Sequence, residues 1–191
     1  MGDIIRMIVV LSCICGVSGF ALSYLKMTTA PAIEEQVMTY VQGPAIHSVF
    51  TDIDNDPIAD RKKFSTADGK EFTVFPGQKG GKLVGVCIEG FGTGFGGEIG
   101  VMVGFDVARD ALMGIGITTM SETPGLGTVI AGKNFTSQFV GQGLDAKAKS
   151  QGGTLDTISG ATISSNGAIA GLNKAAQIYT QLKPEIVKTW P

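Results

Sequence analysis

Lys82-Leu-Val-Gly-Val-Cys-Ile88, Glu98-Ile-Gly-Val-Met-Val-Gly-Phe-Asp106 and Ala111-Leu-Met-Gly-Ile-Gly-Ile-Thr118 follow one another as apolar runs with short gaps between them. Runs of this length, rich in Val and Ile, read as strands, and gaps too short for a crossover helix make them antiparallel neighbours. Ahead of them Glu71-Phe-Thr-Val-Phe75 alternates and stops at Pro76-Gly77, which extends the series into an antiparallel meander. Further on, a helical stretch is expected near Asn134–Val140. From about Ile163 to Lys183, apolar residues recur at Ile169, Leu172, Ala176, Tyr179 and Leu182. That spacing of three and four predicts a long helix, closed by Pro184. The fold class is therefore α+β, an antiparallel sheet with packed helices. One domain is expected over residues 49–183, with 184–191 as a C-terminal tail.

The N-terminal part reads differently. Met7–Leu25 carries no charged side chain and is bracketed by Arg6 and Lys26. About 19 helical residues at ~1.5 Å each span close to the ~30 Å hydrocarbon core of a bilayer. A cleaved signal peptide would have a shorter apolar region and a small-residue cleavage site, whereas here Thr29-Ala30 runs straight into Pro31. The expectation is an uncleaved single-pass anchor in lipid, placing the chain in the cell (inner) membrane. Residues 1–6 form a short cytoplasmic segment, 7–25 the span and 26–48 a stalk helix or linker, with the main domain on the extracytoplasmic side. The flanking Lys and Arg are nearly balanced, so orientation rests weakly on charge. Cys13 and Cys15 point about 200° apart on a helix and cannot together clamp a metal.

Composition removes several classes. Lys plus Arg number 15 against 17 Asp plus Glu, so no basic excess offers a footprint for nucleic acid. An apolar fraction of 43% is enough for a core and rules out global disorder. Three cysteines cannot make a disulfide scaffold.

Some motifs lack the context their chemistry needs. Gly92-Thr-Gly-Phe-Gly-Gly97 spells G-x-G-x-x-G, but the run after it is strand-like, so no helix N-terminus awaits a pyrophosphate. Asp52-Ile-Asp-Asn-Asp56 alternates oxygen ligands as a calcium loop would, yet has Pro57 and Lys63 where such a loop needs Gly and Glu. A solvated turn is the better reading. His47 is the only histidine, and no nucleophile elbow accompanies it. No residue stands out as a catalytic acid, base or metal ligand.

Asp156-Thr-Ile-Ser159-Gly160-Ala161-Thr162 stands immediately before the final predicted helix. Small hydroxyl residues there have two readings. Ser159 or Thr162 can cap the helix, or the helix terminus can receive a phosphate through its backbone N–H groups and dipole.

Asp-x-x-Ser-Gly-Ala-Thr also resembles the flavinylation motif of the FMN-binding domain family. The resemblance implies that Thr162 is esterified to the phosphate of FMN by a separate flavin transferase that takes FMN from FAD. Ser159, Gly160 and Ala161 would then flank the cofactor. Ser121-Glu-Thr-Pro-Gly-Leu-Gly127 resembles a second signature of that family, and implies flavin contacts from Glu122, Thr123, Leu126 and Gly127. The family pattern has His two residues before that Glu, where this chain has Met120.

With its N-terminal span, the chain resembles the G subunits of Rnf ion-translocating ferredoxin:NAD⁺ oxidoreductases. The C subunits of sodium-pumping NADH:quinone reductases share the motifs. The implied function is an electron-transfer subunit that carries covalent FMN, partnered by the other Rnf subunits, including intramembrane ones. It would be part of an enzyme with no catalytic site of its own. A membrane-anchored FMN-binding redox sensor is the alternative from another class.

Overall fold

The computed structural model describes residues Gly2–Trp190. Met1 and Pro191, the outermost residues of the two expected terminal segments, lie outside the described residues. The chain forms two compact units, Met1–Met38 and Thr39–Pro191.

The first unit is helix α1, Gly2–Val37. Its apolar side chains are exposed throughout, among them Leu11, Val17, Phe20 and Leu22. The helix is long and apolar enough to cross a membrane. Pro31 lies inside it.

The second unit begins with a π-helical turn, Met38–Gln42, whose last four residues belong to it, and helix α2, Gly43–Val49. Five strands follow: β1 Lys62–Ser65, β2 Glu71–Lys79, β3 Lys82–Thr93, β4 Glu98–Asp106 and β5 Ala111–Thr119. They pair in sequence order, each antiparallel to the next, which is the meander expected from the apolar runs. Strand β2 runs on through Pro76-Gly77 instead of stopping there, with a register shift between Gly77 and Gln78. Proline is tolerated at such an irregularity because it removes only one ladder donor. Strand β1 has no counterpart in the expected pattern. It is four residues long with Phe64 alone facing inward, too little alternation to register as a strand.

Both faces of the sheet are covered. Helix α4, Thr162–Thr189, lies on one of them. Its Leu172, Ala175, Tyr179, Leu182 and Ile186 pack with Val74, Val86, Ile88, Val101, Val103 and Phe105 of the sheet. The Tyr179 ring stacks on Phe105 at 4.4 Å between centroids and 4° between planes. On the other face Ala45, Ile46 and Val49 of α2, with Phe50, pack on Phe75, Cys87 and Met102. The end of the segment 26–48, expected as stalk helix or linker, therefore supplies Ala45 and Ile46 to the core.

The expected C-terminal tail is likewise structural. Helix α4 does not end at Pro184 but continues to Thr189. The reason is packing: Ile186 and Trp190 are buried, and the Trp190 ring lies 5.5 Å from Phe64 of β1. Burying two such side chains contributes several kcal/mol, roughly offsetting the ~3 kcal/mol that an interior proline costs a helix. Between β5 and α4, short helical turns flank α3, Lys133–Thr136, which overlaps the stretch Asn134–Val140 where helix was expected.

One feature fixes how close α4 sits. Gly90 and Gly92 of β3 face it, and it presents Gly167 and Gly171 in return. A Cβ on Gly92 would fall 1.9 Å from the Gly167 carbonyl oxygen, and one on Gly90 would fall 2.2 Å from that of Gly171. Helix backbone thus rests directly on strand backbone, with no side chain between. The G-x-G pattern that suggested a nucleotide loop is, at its first glycine, half of this seam.

Candidate functional site

The β3–β4 connection, the loop after β5 and the N-terminus of α4 converge at one end of the sheet. Between them is a cleft of about 390 Å³. Of the eight residues expected from the two motifs, seven line it: Glu122, Thr123, Leu126, Gly127, Gly160, Ala161 and Thr162. Ser159 is exposed beside it without lining it. Residues far apart in the chain are thus brought together as the paired motifs implied.

The loop after β5 holds its shape by its own hydrogen bonds. Leu126 N–H donates to the Thr123 carbonyl at 3.2 Å, and Gly125 between them has φ +74°. That is the geometry of a type II turn with Pro124 and Gly125 at its centre, where positive φ at the second position selects glycine. Thr128 Oγ1 accepts from Gly125 N–H at 2.9 Å and fastens the turn to the helical turn Gly127–Ala131. Leu126 is left half exposed at the cleft.

Glu122 is a buried carboxylate, 7% exposed. It accepts from Gly96 N–H at 3.0 Å through Oε1, and from the Ser164 hydroxyl at 2.5 Å through Oε2. It therefore ties all three segments of the site together, beyond lining the cleft.

The start of α4 decides between the two readings of Ser159–Thr162. The residue preceding the helix is Ala161, and no side chain caps it. Neither Ser159 nor Thr162 is a cap. The first helical bond is Ser165 N–H to Ala161 O, so the N–H groups of Thr162, Ile163 and Ser164 have no carbonyl of the helix to bond. A positive helix end with free donors is a seat for an anion. The Thr162 side chain is exposed there, while Gly160, with φ +81°, turns the chain into the helix. The Ser165 hydroxyl binds the approach: it donates to Ala161 O at 2.9 Å and accepts from Ile158 N–H at 3.0 Å. Asp156, first residue of the motif, pairs with Lys149 at 2.7 Å, and Gln138 bonds its backbone on both sides.

Three cleft residues were not foreseen, Phe95, Ile163 and Ser164. Phe95, 73% exposed, and Ile163, 54% exposed, complete an apolar wall with Leu126. An exposed aromatic between Gly94 and Gly96 was a usable signal, since a glycine-rich strand tip offers nothing to bury it. Uncapped donors beside such a wall suit a ligand with a phosphate and a flat ring system that is partly apolar, and FMN has both. Met120, in the place of the family's His, packs against the main core. His47 is exposed, and among the described residues no cluster could hold a metal.

The sequence profile of the FMN-binding domain matches residues 94–177, which encloses every segment of the cleft. The G subunit of the ion-translocating oxidoreductase complex of Cereibacter sphaeroides is 32% identical over 147 residues, covering 72% of this chain and 66% of that one. The G subunit of the Na⁺-translocating ferredoxin:NAD⁺ oxidoreductase complex of Acetobacterium woodii is 29% identical, covering 91% and 90%. Its counterpart from the proton-translocating complex of Clostridium ljungdahlii is 28% identical, covering 87% and 86%. Among solved structures, the C subunit of the Na⁺-translocating NADH-quinone reductase of Parabacteroides distasonis shares the fold. Its TM-score is 0.54 at 22% identity, covering 69% of this chain and 71% of that one.

Proposed function

Because this chain belongs to the G-subunit family of ion-translocating oxidoreductase complexes, we propose that it is an electron-relay subunit. In this reading it carries FMN esterified to Thr162 and works with the other subunits of an Rnf-type complex. Bound FMN supplies one- and two-electron carriage, and the chain supplies position and surroundings. The observation that carries the proposal is the exposed Thr162 side chain at the uncapped N-terminus of α4, inside a cleft walled by Phe95, Leu126 and Ile163.

Each part of the site has a task. In the attachment step Thr162 Oγ1 bonds to the flavin-side phosphorus of FAD and the pyrophosphate bond breaks. AMP leaves and the hydroxyl proton passes to solvent, all on a separate flavin transferase. The resulting phosphodiester is anionic, and the free N–H groups of Thr162, Ile163 and Ser164 stabilise that charge. Phe95, Leu126 and Ile163 would hold the ring and shield part of it from water. Covalent attachment prevents loss of the cofactor on the extracytoplasmic side, where the reading places the domain. Helix α1 would anchor it in lipid beside intramembrane partner subunits.

The test is co-expression of wild type and Thr162→Ala with a flavin transferase, followed by intact mass and in-gel flavin fluorescence after denaturation. The expected result is one added FMN, less water, in wild type only. Unmodified wild type beside an active transferase would overturn the proposal.

A further inference from the structure

Thr162, Ser164 and Ser165 all lie in the first turn of α4, and each could in principle accept a phosphoryl group. The structure distinguishes them. Ser165 is fully buried and bonded on both sides of its hydroxyl. Ser164 is 2% exposed and donates to Glu122. Residues two apart on a helix point about 200° from one another. Thr162 is therefore left as the exposed hydroxyl of this turn when Glu122 holds Ser164 at the buried side of the cleft.

The carboxylate that draws it is closely fitted. A Cβ on Gly94 would lie 2.2 Å from Glu122 Oε1, and one on Gly127 would lie 2.5 Å from Oε2. Among the described residues no Lys or Arg forms an ion pair with Glu122, whose donors are a backbone N–H and a hydroxyl. A buried carboxylate needs compensation, and the positive end of α4 beside it provides some.

Resting on the reading of Thr162 as the FMN acceptor, we infer that Glu122 is the positioning residue for its modification. It acts through Ser164, setting the rotation of the first turn of α4 so that Thr162 is the hydroxyl presented to the transferase. It touches neither of the reacting atoms. Removing it leaves Thr162 chemically intact but spread over orientations, which lowers turnover more than binding.

The experiment uses the full chain in detergent, flavin transferase and FAD, and follows initial flavinylation rates by intact mass. Glu122→Ala is expected to lower kcat about tenfold while KM stays within about twofold. Ser164→Ala is expected to match it, and the double variant to add nothing more, because both remove one interaction. Glu122→Gln can still accept from Gly96 N–H and donate to Ser164 Oγ, and is expected to stay within about threefold of wild type. Equal rates for wild type and a folded Glu122→Ala overturn the inference. So does a loss confined to KM, or additivity of the two alanine variants. If Glu122→Ala does not fold, wild-type kinetics in Ser164→Ala overturn it alone. Unmodified wild type would instead overturn the reading of Thr162 beneath it.

Discussion

Replacing Gly92 by Ala places a methyl group where the backbone of α4 already is. The added carbon would stand 1.9 Å from the Gly167 carbonyl oxygen and 2.7 Å from the Gly171 nitrogen. Reaching the ~3.3 Å of an ordinary carbon–oxygen contact requires α4 to lift by about 1.4 Å. No flexible side chain lies between that could yield, so the cost falls at the upper end of overpacking, about 3 kcal/mol. For a unit of this size that is a fall in Tm of about 6–12 °C. Trp190 is the only tryptophan, buried just past the far end of α4, so its fluorescence reports the docking of this helix. Gly69→Ala is the control. Gly69 has φ +75° with nothing near its Cβ position, so it loses only about 1 kcal/mol of backbone preference and about 2–4 °C. A Gly92→Ala melting point no lower than that of Gly69→Ala would refute the direct seating of α4 on β3.

Other perturbations have equally definite outcomes. Asp110, at φ +51°, accepts from Tyr179 at 3.0 Å and pairs with Lys183 at 2.6 Å; the Lys183 hydrogen bond chiefly holds its carboxyl below the ordinary value of 3.8. A depressed carboxyl stabilises the fold at pH above its unfolded value and loses that effect as pH falls from 3.8 through its lower folded value. Asp110→Asn, which tolerates the same backbone, should therefore flatten the acid limb of a pH–stability curve below about pH 4; an unchanged acid limb would contradict the assignment. Pro184→Ala restores a donor for the Thr180 carbonyl inside α4 and should stabilise by about 1 kcal/mol or more, read as a higher Tm. Cys87 is fully buried, and burial raises its thiol well above the usual range. In a Cys13→Ser/Cys15→Ser background it should resist alkylation at pH 8 until the domain unfolds, and rapid labelling of folded protein would count against the packing described.

The strands from Glu71 onward and the helix over α4 were legible because apolar period and chain segment coincide there. Strand β1 was not, since one inward side chain in four residues makes no pattern, and what recruits it is Trp190, far away in sequence. Pro184 misled for a related reason. Proline ends a helix by local rules, and here long-range burial of Ile186 and Trp190 overrides them. At the site, the two motifs named seven of the residues that line the cleft, but the resemblance supplied that grouping, because spacing alone carries no information on which loops meet. Glu122 shows the limit most clearly. The resemblance marked it as a flavin contact, while its hydrogen bonds to Gly96 and Ser164 depend on three segments that no local pattern relates. The same applies to Ala161 as the uncapped start of α4, where Ser159 and Thr162 were the natural caps by residue type.

The place of α4 in chain order bears on how the subunit is made. It is the last described element, yet it covers the apolar face of strands completed some fifty residues earlier. During synthesis the surface of Val86, Ile88, Val101 and Val103 that α4 covers stays open until that helix emerges. Thr162 takes its presented orientation only when that docking is complete. On the reading proposed above, a transferase that recognises the folded cleft acts only on chains in which α4 has docked.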